Sequence, residues 1–212
     1  MRTILDLAFN DPVSYVTIVL VVIGSIVLHE LGHALVATWE GDATPRIRGH
    51  LTWNPVVHMG WISLVLVAVM GIGWGMTPVN RSMFRHRRWG AVLVSAAGPL
   101  VNLLLALIAG FVLVIAARAH GGVGHRVLWF WGMVLEFNVL LFLFNLIPVP
   151  PFDGFSVADG AFDLGGLGAM LRGAGMIPLI LAMLLVRSEP FSVFSDGIVR
   201  LILRAAQGVV GA

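Results

Sequence analysis

Between residues 14 and 39 the chain runs for 26 positions without a lysine or arginine, and Glu30 is its single acid. About 20 apolar residues carry a helix across the hydrocarbon core of a bilayer, so this run reads as a membrane span. Two more follow, at residues 89–117 and 127–147, the last with Glu136, Asn138 and Asn145 embedded in it. Trp39, Trp89, Trp129 and Trp131 stand at the ends of these runs, where interfacial aromatic belts form. Composition agrees. Hydrophobic residues make up 58% of the 212 positions and charged residues 11%, against roughly 25% charged in an average soluble domain. A soluble fold of this size could not hide so much apolar surface behind a charged exterior. The expectation is an all-α polytopic membrane protein, one domain over residues 1–212, with the lipid bilayer as its first partner.

Charge and cysteine usage remove other classes. There is no cysteine, which excludes disulfide scaffolds and thiolate metal sites. All 13 cationic side chains are arginine and the net charge is only +2. They sit between apolar runs rather than on one basic face, so no nucleic-acid partner is expected. The first apolar run carries the most chemically loaded motif, so it is not read as a cleavable signal peptide.

Two segments are harder to place. Residues 61–77 are apolar but few, and Gly71, Gly73 and Gly75 break the far half. They read as a re-entrant or interfacial segment that enters and leaves on one side. Near the end, C-terminal helices are expected over about 174–208, where Asp196, Arg200 and Arg204 recur every four residues. That stripe suits a helix lying in the interface. Arginine counting arbitrates the first case. With residues 61–77 re-entrant, the loops 40–60, 78–88 and 148–173 share one side and hold seven arginines, against two in 118–126. A crossing would divide them five against four. The asymmetry favours re-entrance, with the richer side in the cytoplasm and the chain in the cell membrane.

His29-Glu30-Leu31-Gly32-His33 is an HExxH sequence. On a helix, positions i and i+4 share a face, so both imidazoles can bind one metal while Glu30 reaches its water. Ionisable groups inside a span are costly and mark function. A catalytic zinc needs one further protein ligand and an open position. Glu40 and Asp42 follow too closely on the same helix. Asn138 and Asn145 share a face, and at about 100° per residue Glu136 stands roughly 180–200° from both. Asp153 remains. It ends the stretch Asn145-Leu146-Ile147-Pro148-Val149-Pro150-Pro151-Phe152-Asp153-Gly154, whose prolines force the third span to unwind near Pro148. The ligands can converge only if the first and third spans run parallel, which again calls for re-entrance of 61–77.

These motifs resemble those of the site-2 proteases, intramembrane zinc metalloproteases of peptidase family M50. The likeness rests on HExxH at His29–His33, on the NxxPxPxxDG pattern from Asn145 to Gly154, and on Gly98-Pro99-Leu100-Val101-Asn102 in the middle span. It covers about residues 14–155. The stretch from Gly41 to Pro55 looks like the small bacterial subgroup without appended domains, and the loop from Glu40 to Gly60 is too short for a PDZ domain. Past the DG pair Phe155 and Ser156 follow, where relatives often carry a small residue and an arginine. The resemblance implies a three-helix catalytic core and one Zn2+ held by His29, His33 and Asp153. It implies Glu30 as general base, and transmembrane protein substrates cut in or near their spans.

Asn102, Asn138 and Asn145 are candidates for holding substrate or stabilising the oxyanion, with interhelical hydrogen bonding the alternative. His50 and His58 read as interfacial polar residues, and His86, His120 and His125 as solvated. The rival function is a catalytically inactive membrane adaptor or chaperone of the same fold. A transporter would show paired inverted repeats, which the sequence lacks. A homo-oligomer is compatible with all of this.

Overall fold

The computed structural model describes residues 4–119 and 124–211; His120 lies outside the described residues. Helices follow in the order α1 (Ile4–Asn10), α2 (Pro12–Trp39), α3 (Thr44–Ile47), α4 (Pro55–Met70), α5 (Arg87–Arg118), α6 (His125–Asn145), α7 (Asp153–Phe162), α8 (Gly165–Gly173), α9 (Ile177–Val186) and α10 (Glu189–Gly211). No strand occurs among the described residues. By length and hydropathy α2, α5 and α6 can each cross a membrane; α8 and α9, bent by 87°, would add a fourth span if counted as one. The chain is an all-α polytopic membrane protein.

Local chemistry sets the ends of these helices. Asp11 caps α2 by accepting from the backbone N–H of Ser14 at 3.2 Å, with Pro12 in the first turn. Within α5, Leu100, Leu104 and Ile108 point outward while Asn102, Ala106 and Ala109 are wholly buried. The apolar row belongs to lipid, and the small and polar row to helix contacts. Gly32 of α2 sits against Ala97 and Val101 of α5, where a Cβ would come within 2.9 Å of the Val101 side chain.

Partner residues fix the directions. One end of α2 shares a cleft with the start of α6, lined by Asp11, Ser14, Arg126 and Trp129. At the other end His33 meets Val94, near the start of α5. So α2 and α6 run parallel and α5 antiparallel between them. The backbone N–H of Arg85 donates to the Glu40 carbonyl at 2.8 Å, so residues 40–85 begin and end at one place.

That intervening segment doubles back. Asn54 caps α4 by accepting from the Val56 N–H at 2.9 Å. Gly60 then breaks the helix at φ 68°, leaving ten residues before Gly71 ends it at φ 70°. Ten helical residues reach about 15 Å, half the roughly 30 Å hydrocarbon core. Residues 71–80 return as an extended strap. The Ser63 hydroxyl donates to the Trp74 carbonyl and accepts from the Trp74 N–H, and the Met76 N–H donates to the His58 carbonyl at 2.9 Å.

One expectation changes. The loop at 148–173 contains α7 and α8, hidden in the sequence by glycines at 154, 160, 165, 166, 168 and 173. A tertiary contact supports α7: Arg88 donates to the Gly160 and Ala161 carbonyls in its last turn, at 2.6 and 2.7 Å. The Asp196, Arg200 and Arg204 stripe is exposed, and the opposite face of its helix is the packed one. In α10, Ile198 and Ile202 pack on Ala106, Ala109, Leu135 and Val139, the middle of the α5–α6 hairpin.

Candidate metal centre and active site

HExxH lies on α2, and the α-helical repeat brings His29 and His33 onto one face, buried against α5. Their Nε2 atoms are 3.1 Å apart. The unwound segment after α6 delivers Asp153, first residue of α7, with its Oδ2 3.1 Å from His29 Nε2 and 3.2 Å from His33 Nε2. The N-terminal end of a helix favours an anionic side chain.

Tautomers decide what this triangle can do. His33 Nδ1 lies 2.6 Å from the Val94 carbonyl, which can only accept, so that nitrogen carries the proton. His29 Nδ1 likewise donates to Asn102 Oδ1 at 2.6 Å. In its neutral form each imidazole then aims the Nε2 lone pair at the same point as a carboxylate oxygen. Three such donors within 3.1–3.2 Å of one another can share one cation. The corners of a tetrahedral zinc site at about 2.0–2.1 Å are roughly 3.3 Å apart, so this donor set fits zinc. Gly98 supplies the clearance, since a Cβ there would collide with Nε2 of both histidines. Among the described residues this is the one group of three or more such side chains placed to hold a metal ion.

Glu30 lies against the strap. Its Oε2 accepts from the Thr77 hydroxyl at 2.7 Å, and Gly75 packs on its side chain so closely that a Cβ would overlap it.

The three candidate asparagines part company. Asn102 and Asn138 are fully buried behind His29. Asn102 donates to Asn138 Oδ1 at 2.9 Å, and Asn138 donates to the Ser25 hydroxyl at 2.9 Å and the Val134 carbonyl at 2.8 Å. Their polar atoms orient a histidine and join α2, α5 and α6, the interhelical alternative named above. Asn145, half-buried beside the unwound segment, donates to the Leu141 carbonyl at 3.0 Å.

Several of the remaining polar groups have structural partners. Asp42 accepts from the backbone N–H groups of Thr44 and Asn80, at 2.8 and 2.6 Å, and so ties down the strap. Glu40 accepts from the His86 N–H at 3.3 Å. His58 donates through Nε2 to the Thr52 carbonyl and meets His50 edge to face at 5.5 Å between ring centres. Burial, aided by His58, pushes His50 below its ordinary value. Glu136 lines a cleft with Ser192, Ser195 and Asp196 of α10, away from the triad.

Sequence reasoning missed two contributors. Gly98 reads there as part of a family pattern without a job, and Gly154 as half of a pair. A Cβ at Gly154 would strike the Leu146 carbonyl, so glycine lets Asp153 approach across the end of α6. Neither need is local.

Known proteins give an independent measure. The model of peptidase family M50 matches residues 17–120. A Bacillus subtilis protein named "Putative zinc metalloprotease YwhC" is 41% identical over 151 residues, 68% of each chain. Rip2 of Mycobacterium tuberculosis strain H37Rv, named in the same terms, is 33% identical over 170 residues, 70% of this chain and 60% of that protein's length. MJ0611 of Methanocaldococcus jannaschii is 29% identical over 151 residues, 70% of this chain and 72% of that one. No solved structure matches.

Proposed function

The chain belongs to peptidase family M50, with Zn2+ as the family's metal, and we propose on that premise that it is an intramembrane zinc metalloprotease. Its reaction is hydrolysis of peptide bonds in or near the spans of membrane-anchored proteins. The observation that carries this reading is the lone-pair triangle of His29, His33 and Asp153 at the matching ends of two parallel spans, with Glu30 on the same helix turn.

His29 and His33 through Nε2, and Asp153 through Oδ2, would hold the metal. Zinc bound there supplies Lewis acidity toward the scissile carbonyl and lowers the pKa of a water toward about 7. Asn102 and the Val94 carbonyl keep both imidazoles in the tautomer that binds metal. Glu30 takes the proton of the attacking water on its carboxylate and passes it to the departing amide nitrogen. Asn145, beside the unwound segment, is the amide left to meet substrate. A helical substrate buries its carbonyls in its own hydrogen bonds, so it must extend first, and the strap or the proline segment offers an edge for that.

The seven arginines of the loops at the triad end support a cytoplasm-facing site in the cell membrane. Residues 61–77 then form a re-entrant segment that carries the strap to Glu30. Comparative membrane proteomics tests the function. Cells carrying Glu30→Gln should accumulate truncated single-span proteins that wild-type cells clear. Identical membrane proteomes would favour the inactive adaptor.

A further inference from the structure

Residues 71–77 alternate like a strand. Ile72, Trp74 and Met76 are exposed, while Gly71, Gly73, Gly75 and Thr77 turn inward. Glycine is required at two of those inward places. A Cβ at Gly73 would overlap the Val67 side chain, and one at Gly75 would overlap Glu30. The first inward position that carries a side chain is therefore Thr77, and its hydroxyl reaches Glu30. It lies 2.7 Å from Oε2 and 3.0 Å from the Glu30 carbonyl oxygen.

A buried glutamate with three rotatable bonds does not hold its own carboxylate in place. The two metal-binding histidines are steadied by α5, whereas the recorded side-chain hydrogen bond of Glu30 comes from the strap. The hydroxyl has one proton, and a carboxylate is the stronger acceptor. Donated to Oε2, it fixes the rotamer and leaves Oε1 beside Gly75. The strap is seated independently of Thr77, by Ser63, by the His58 carbonyl and by Asp42 on Asn80.

We propose that Thr77 is a positioning residue for the catalytic base: its hydroxyl holds the Glu30 carboxylate in the orientation that takes the proton from water. The proposal rests on the reading of Glu30 as general base. Misplacing a reacting group by about 1 Å costs on the order of 100-fold in rate. Thr77→Val keeps the shape and removes the donor; Thr77→Ser keeps the donor.

The test uses the purified full chain and a single-span protein whose processing depends on Glu30, measuring kcat, KM and zinc per chain. Thr77→Val should lower kcat by roughly 10- to 100-fold with KM within about threefold and zinc unchanged. Thr77→Ser should recover kcat to within about threefold of wild type. Wild-type kcat in Thr77→Val with zinc bound would overturn the proposal, as would a Thr77→Ser chain as slow as Thr77→Val. Loss of zinc in Thr77→Val would overturn it too, because Thr77 would then support the metal site. If no protein is processed in a Glu30-dependent way, the general-base reading itself fails, an outcome distinct from the others.

Discussion

The two sides of the HExxH turn are built differently. On the α5 side, His29 and His33 are locked by Asn102, Asn138, Ser25 and the Val94 carbonyl, all in the interior where three helices meet. On the α4 side, Glu30 leans on an extended strap and one hydroxyl. The metal-holding half is a packed helical scaffold, whereas the proton-handling half is a thin returning segment. A metal site gains from rigid ligands with satisfied outer hydrogen bonds. A base that must move a proton past a substrate backbone needs a neighbour that leaves one of its oxygens uncovered. The consequence is separability: damage on one side should remove zinc, and damage on the other should remove turnover.

The largest effects should split along that line. His33→Ala removes one corner of the triangle, so zinc content and cleavage should both vanish. Glu30→Gln should cut cleavage by about 10²–10⁴-fold with zinc retained. Metal analysis beside a cleavage assay checks both, and zinc loss in Glu30→Gln would break the comparison. Gly98→Ala is next. Its Cβ would push into both Nε2 atoms, so zinc affinity should fall even though no ligand is changed. Competition with a chromophoric chelator measures it, and wild-type affinity would contradict the clearance assigned to Gly98.

Asn102→Ala should weaken zinc by about 10- to 100-fold, the usual cost of losing the partner that orients a metal-bound histidine. The same titration reads it. Arg172→Ala, outside both halves, removes a half-exposed pair with Asp159 at 2.9 Å. Unfolding midpoint should move little, since such pairs are worth about 0–1 kcal/mol. A change in zinc content there would show that the two halves are less self-contained than described.

What was legible in the sequence follows the same division. His29, His33 and the three spans are written in local periodicity. Asp153 could be read because consecutive prolines force unwinding, whatever the tertiary fold. The supports were not readable. Asn102 reaches His29 across 73 positions and Asn138 reaches Ser25 across 113, and a single sequence carries no record of such pairings. Gly71, Gly73 and Gly75 read as helix breakers. Two of them also leave room for neighbouring side chains and so bring Thr77 to Glu30. In α7, glycine content hides a helix that tertiary packing sustains. In α10, a charged stripe suggests an interfacial helix, yet its other face packs on the middle of α5 and α6.

The coordination sphere itself is the most direct test. X-ray absorption at the zinc edge on the full chain should find one zinc per chain, with two imidazole nitrogens and a carboxylate oxygen at about 2.0–2.2 Å. The carboxylate contribution should disappear in Asp153→Ala. An unchanged spectrum in Asp153→Ala, or a wild-type zinc with a single imidazole, would contradict the account.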